Sequence, residues 1–202
     1  MSDGSEVPAL RLFIALSLPE EVKTEIEKAQ AEFRRGLRQA SVRWTKREQF
    51  HLTLKFLGDV AANRVEALTA AVRGAGQNVA SLGLRAERVG FFPEQGRPRV
   101  VWVGVRDQDE KLLKLQRAVE AATRGYSAEE EPDNRFEGHV TLARIKAITR
   151  PESEQVAKLA ATWEGRSFGA WTAGEIEIIR SQLTPDGARY STLATVPIAA
   201  SS

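Results

Sequence analysis

Apolar and polar positions follow two rhythms along this chain, and the switches between them mark its elements. Leu10 to Leu18 is a strongly apolar run that reads as a strand, and Pro19-Glu20-Glu21 then opens a helix. Proline suits the first turn and carboxylates suit the positive end of the helix dipole. Val22, Ile26, Ala29, Phe33 and Leu37 recur at helical spacing, so an amphipathic helix runs to about Gly36. Ser41 to Trp44 is a short extended piece, and Lys46 to Gln49 a turn. Phe50 to Leu57 alternates with period two, the mark of a half-buried strand, and Gly58-Asp59 stops it. Residues 60–73 suit a second helix with Val65, Leu68 and Val72 inward, broken by Gly74-Ala75-Gly76.

The second half repeats the pattern. Leu82 to Phe92 is extended, and residues 93–98 form an exposed turn. Arg99 to Arg106, dense in valine with one tryptophan, is the clearest strand in the chain. Asp107 caps a third helix that runs to Arg124 with Leu112, Leu115 and Val119 inward. A polar, acidic loop at 125–135 leads into a strand from His139 to about Lys146, and Pro151 to Trp163 is a fourth helix. Ala170 to Arg180 and Arg189 to Val196 read as a hairpin around the turn residues 184–187.

This succession predicts an α+β protein in which one unit occurs twice, at about residues 10–92 and 93–197, with tails at 1–9 and 198–202. The expectation is a single domain over 1–202. Its two intertwined, pseudo-symmetric lobes are of antiparallel sheet with outer helices and a central cleft.

Composition narrows the chemistry. Lys and Arg number 29 against 27 Asp and Glu, so there is no strong bulk field. Local basic patches at 34–47 and at Arg97 and Arg99 permit a polyanion partner without demanding one. Cysteine is absent, which removes disulfides, thiol chemistry and Cys-based metal sites and fits a cytoplasmic setting. The polar, acidic start does not read as a signal peptide, and no apolar run approaches a membrane span.

The only two histidines, His51 and His139, each open an H-x-T-L stretch: His51-Leu52-Thr53-Leu54 and His139-Val140-Thr141-Leu142. On a strand, residues i and i+2 point to one side. Each stretch therefore sets an imidazole beside a hydroxyl on one face and sends Leu52, Leu54 and Phe56, or Val140 and Leu142, into the core from the other. A single His-x-Thr is an ordinary strand feature. Two copies that use up every histidine point to chemistry. One neutral and one protonated imidazole form an acid–base pair for in-line displacement at phosphorus, and two threonine hydroxyls suit the non-bridging oxygens. That set calls for no cofactor. With no third histidine and no cysteine, the pattern argues against a zinc site.

These stretches, together with residues 11–16, Arg43-Trp44, residues 98–102, residues 180–183 and residues 187–190, resemble the two-histidine phosphoesterases. Among those, the chain is similar to the LigT-like RNA 2',3'-cyclic phosphodiesterases, also called 2'-5' RNA ligases, from Leu10 to about Pro197. The resemblance implies the bilobal LigT-like fold and metal-independent opening of a terminal 2',3'-cyclic phosphate to a 2'-phosphate. It also implies the reverse joining to a 5'-hydroxyl. The implied partners are RNA ends or nucleotides carrying that group, with no metal and no membrane, and a monomer is expected. It makes His51 the acid for the leaving O3', His139 the base for water, and Arg144 a phosphate contact beside Thr53 and Thr141. Strict alternation points Arg144 to the opposite face, so a bulge, a strand end or a curling side chain is needed to bring it round.

Lys55 shares the parity of His51 and either adds positive field or is an ordinary solvated lysine. Trp44, Phe92 and Trp102 are candidates for stacking a terminal base, with core packing the alternative. One departure stands out: the family usually has proline before the second histidine, whereas this chain has Glu137-Gly138. Gly138 is expected to loosen the approach to the strand, and Glu137 to bring negative charge near an anion site. Two other readings use the same residues. One is hydrolysis of small cyclic nucleotides or 2'-5' oligoadenylates, and the other is a nucleotide- or RNA-binding module without turnover.

Overall fold

A computed structural model describes residues 7–79, 82–126, 136–185 and 187–199. Within these, the chain forms β1 (Ala9–Ser17), α1 (Glu20–Gly36), β2 (Ser41–Trp44), β3 (His51–Ala61), α2 (Val65–Gln77), β4 (Leu82–Phe92), β5 (Val100–Arg106), α3 (Lys111–Ala122), β6 (His139–Ala147), α4 (Arg150–Thr162), β7 (Ser167–Ala173), β8 (Glu175–Thr184) and β9 (Gly187–Pro197). The strands make two antiparallel sheets, ordered β3-β1-β8-β9 and β2-β6-β5-β4-β7.

The sheets do not coincide with the two halves of the sequence. β1 pairs with β3 and β5 with β6, each inside its own half. The strands that end each half cross over: β4 lies beside β5, and the β8–β9 pair lies beside β1. β2 also crosses, to the outer edge of β6. The helices follow the same exchange. α1 and α4 pack on β7 and β4 of the five-stranded sheet, while α2 and α3 lie over β8, β9 and β3 of the four-stranded one. The two halves of the chain therefore share strands between the sheets.

β1 shows why its sequence is almost continuously apolar. Leu12, Ile14 and Leu16 join the main core under the helices, while Phe13 and Ala15 turn the other way and pack with Ile179 and Tyr190. Both faces are covered, so the period-two alternation disappears.

Several boundaries differ from the sequence reading. β3 does not stop at Gly58: it passes through that residue at φ 69° and continues to Ala61. α2 starts at Val65 and keeps Gly74, Ala75 and Gly76 inside it. Gly76 is held there by crowding, since a Cβ would stand 2.9 Å from the Pro197 carbonyl. α3 begins at Lys111, with the Asp107 carboxylate accepting from the Lys111 and Leu112 amides at 2.5 and 3.1 Å. Ala170 belongs to β7, so the chain changes sheets at Gly174 before the β8–β9 hairpin. In place of a loose tail at 198–199, Ile198 is buried and its amide donates to the Gly174 carbonyl at 2.8 Å. Asp186 of the predicted turn and residues 127–135 of the acidic loop lie outside the described residues. No described helix is long and apolar enough to cross a membrane.

Candidate active site

β3 and β6, one from each sheet, touch along the cleft, and a cavity of about 260 Å³ lies there. His51 and Thr53 line it from β3, and His139, Thr141 and Arg144 line it from β6. Their neighbours Leu52, Leu54, Val140 and Leu142 are buried in the core, as the alternation predicts. Hollows of about 400 and 840 Å³ lie elsewhere, beside α4 and beside α1 and β7, and neither contains a histidine.

Each imidazole sits in an aromatic setting. The His51 ring stacks on Phe13 with centroids 4.9 Å apart, and Tyr190 meets it edge-on at 5.3 Å. Burial, helped by the positive charge of Lys23, pushes its pKa from 6.5 down to about 4. His139 has Phe92 edge-on at 5.5 Å and Trp102 at 6.2 Å. Burial lowers its pKa as well. The Glu137 carbonyl and carboxylate oppose that shift, and Arg144 adds to it.

The two rings differ in what fixes them. His139 Nδ1 lies 2.8 Å from the Glu137 carbonyl oxygen, which only accepts, so Nδ1 carries the proton. Nε2 is then the lone-pair nitrogen of the neutral ring.

Arg144 reaches the cavity because β6 is bulged. Opposite β5, Trp102 pairs with Thr141 but Val101 pairs with Ala143, which leaves Leu142 as an extra residue. Leu142 and Ala143 are both buried, and Arg144 returns to the face of His139 and Thr141. The freed Leu142 carbonyl accepts from the Thr45 amide at 2.9 Å and from the buried Gln30 side chain, also at 2.9 Å. β3 carries the same irregularity: Ala15 pairs with Thr53 and Ile14 with Lys55, so Leu54 is the extra residue. Each H-x-T-L stretch is therefore followed by a bulge at its leucine.

The other sequence candidates fare differently. Lys55 does line the cavity, but its ammonium is buried and paired with the Glu120 carboxylate of α3 at 2.7 Å, so it adds little net positive field and is not an ordinary solvated lysine. Trp102 is only 2% exposed and cannot stack a base; it fills the core beneath His139. Trp44 packs against the core with the Arg34 guanidinium 5.3 Å from its ring centre and does not line the cavity. Glu137 is ion-paired with Arg88. Gly138 does not loosen the strand: a Cβ there would stand 2.7 Å from the Val105 carbonyl and 2.9 Å from Leu112.

Phe56, expected in the core with Leu52 and Leu54, is instead 51% exposed and lines the cavity, because the bulge at Leu54 reverses its side. Gln116 and Glu120 one turn apart on α3, Phe136 and Tyr190, which the sequence does not single out for a role, complete the lining. The spacing of Gln116 and Glu120 was the available signal, since polar residues four apart share a helix face. The hairpin carrying Tyr190 is tied across the cleft by Gln49, whose amide donates to the Ala188 carbonyl at 2.6 Å.

Two interleaved antiparallel sheets, each presenting one His-x-Thr strand to a shared cavity, define a two-histidine phosphoesterase. The chain belongs to the LigT-like phosphoesterase family, whose model matches it twice, over residues 16–102 and 103–190. It is 34% identical over 161 residues to an RNA 2',3'-cyclic phosphodiesterase of Aeropyrum pernix, covering 76% of this chain and 85% of that relative. It is 26% identical over 193 residues to one of Methanocaldococcus jannaschii, covering 91% and 98%. A Thermus thermophilus crystal structure superposes with a TM-score of 0.75 at 28% identity, covering 94% of this chain and 98% of that one. Escherichia coli LigT with 3'-AMP gives 0.73 at 24% identity over 95% and 99%, a likeness of fold.

Proposed function

We propose that this protein opens the terminal 2',3'-cyclic phosphate of RNA by hydrolysis, leaving a 2'-phosphate. With a 5'-hydroxyl in place of water, the same ring opening joins such an end through a 2'-5' linkage, the P–O5' bond forming as the P–O3' bond breaks. His139 Nε2 takes a proton from water as the water oxygen attacks phosphorus. The bond from phosphorus to O3' breaks, and His51 gives O3' its proton. The Thr53 and Thr141 hydroxyls and the Arg144 guanidinium hold the non-bridging oxygens, whose charge grows in the transition state.

The observation that carries this reading is the hydrogen bond from His139 Nδ1 to the Glu137 carbonyl, in a cavity that His51 also lines. It leaves Nε2 as the nitrogen with a lone pair for water. The relatives named as RNA 2',3'-cyclic phosphodiesterases support the choice of substrate. His51 has the lower pKa yet serves as the acid, so it must take up its proton as the anionic phosphodiester arrives.

The test is incubation with an oligoribonucleotide ending in a 2',3'-cyclic phosphate, in EDTA, with separation of 2'- and 3'-phosphate products. A 2'-phosphate is expected, and His51→Ala or His139→Ala should each lower the rate by about 10²–10⁴-fold. A 3'-phosphate product, loss of activity in EDTA, or full activity in either variant would overturn the proposal.

A further inference from the structure

Beside His139 lies an arrangement, sharing Glu137 with the cavity wall, that the chemistry above does not use. Arg88 is the extra residue of a bulge in β4, where Glu87 pairs with Gly104 and Val89 with Val103. Its backbone is in the left-handed region at φ 49°, a conformation that non-glycine residues adopt only when their surroundings enforce it. Its amide is fixed by the Arg166 carbonyl at 3.1 Å. The side chain crosses the face of Trp102, with the guanidinium carbon 5.0 Å from the ring centre, and Nη2 reaches the Glu137 carboxylate at 2.5 Å. Gly104 makes the passage, because a Cβ there would stand 3.3 Å from the Trp102 ring and 3.4 Å from Arg88 Nε. Glu137 in turn accepts the His139 Nδ1 proton through its carbonyl.

We infer that Arg88 is a positioning residue: by anchoring Glu137 and clamping Trp102 it holds the His139 ring with Nδ1 protonated and Nε2 directed at the substrate. This rests on the reading of His139 as the group that takes the proton from water. The bulge aims an arginine at one residue of the 136–138 segment, and Gly138, which has no room for a Cβ, keeps that segment against β5. The Glu137 carboxylate that departs from the family pattern is thereby turned onto a guanidinium rather than onto the phosphate. The other charged or titratable groups around His139 are Arg144 on its own strand, His51 and Lys55 on β3, Glu120 on α3 and Tyr190 on β9.

The chain has only two histidines, so their ring nitrogens can be followed directly by ¹⁵N NMR, with His51→Ala to assign them. In the unaltered protein, His139 is expected as the Nδ1–H tautomer. Arg88→Met should mix the tautomers and lower kcat by roughly tenfold or more with KM little changed. It should also raise the His139 titration by about 1 unit, as the released carboxylate faces the ring. Arg88→Lys should restore most of the rate. In Arg88→Met/Glu137→Gln, the titration shift should vanish because no carboxylate remains. An unchanged tautomer and kcat in Arg88→Met, or a shift that persists in the double variant, would overturn the inference. His139→Ala, assayed alongside, separates the two claims. If it retains full activity, the reading of His139 fails; if it is inactive while Arg88→Met behaves as the unaltered protein, only the role of Arg88 fails.

Discussion

His51 lies in an aromatic pocket that resists its charging, and this sets the response of the protein to acid. With its pKa near 4 and that of His139 also below 6.5, both rings are neutral at pH 7 in the free protein. The productive pairing of a protonated His51 with a neutral His139 is then most populated in mild acid. The profile of kcat/KM, which reports the free enzyme, should peak below pH 6.5. That of kcat should be displaced upward, because a bound phosphodiester anion favours the imidazolium. Initial rates across pH at saturating and limiting substrate check both. Stability follows the same group. Between pH 6.5 and 4 the unfolded chain binds a proton that folded His51 refuses, so stability is full above that window and falls as pH drops through it. The loss is roughly 3 kcal/mol. Urea midpoints at pH 7 and 4.5 should show the drop, and His51→Gln should flatten it. The histidines and threonines are legible in the sequence because a repeated motif exposes them. Phe13 and Tyr190 are not, since an aromatic residue in a strand reads the same whether it packs on leucine or on a catalytic ring.

A bulge in a strand brings Arg144, proposed to hold the phosphate, onto the face of the two histidines. Alternation alone sends Arg144 away from His139, and the doubled inward step at Leu142 and Ala143 reverses it. No residue type announces that step, because both side chains are apolar and would sit comfortably in a regular strand. What maintains it lies on another element. Gln30 of α1, 5% exposed, donates to the Leu142 carbonyl and, at 2.7 Å, to that of Thr45. Gln30→Leu should destabilise the fold by about 1–3 kcal/mol through carbonyls left short of donors. It should also weaken phosphate binding by loosening Arg144, measurable as a raised KM at unchanged secondary structure. Glu152 of α4 plays a comparable part. Burial works against its charge, but hydrogen bonds from Thr149 and from the Gln39 and Ala40 amides outweigh it, so its pKa lies below the usual value. Glu152→Gln should lower the melting temperature at pH 7 and matter progressively less as the pH falls through that lowered pKa and the carboxylate of the unaltered protein takes up its proton. A Glu in the first turn of a helix was readable; its reach to the loop before β2 was not.

Exchange of strands makes the molecule one cooperative unit. With β4 and β8 each lying in the sheet of the opposite half, neither half retains a closed sheet when cut away. Residues 10–92 or 93–197 expressed alone should lack a cooperative thermal transition, while the whole chain should unfold in one step seen alike by circular dichroism and Trp fluorescence. The duplication was visible because strand and helix patterns recur in order. That the lobes are intertwined is an expectation local patterning does not supply, since it says what each segment is and nothing about which neighbour it joins. Which strands cross is seen only in the structure.

The matched bulges at Leu54 and Leu142 bring the third residue past each threonine into the cavity, and there the internal symmetry breaks: Phe56 on one strand, Arg144 on the other. A mononucleotide seated between the histidines would meet a flat hydrocarbon ring at one end and a cation at the other. Only one of its two head-to-tail orientations would satisfy both, so a duplicated frame would still give the proposed reaction a direction.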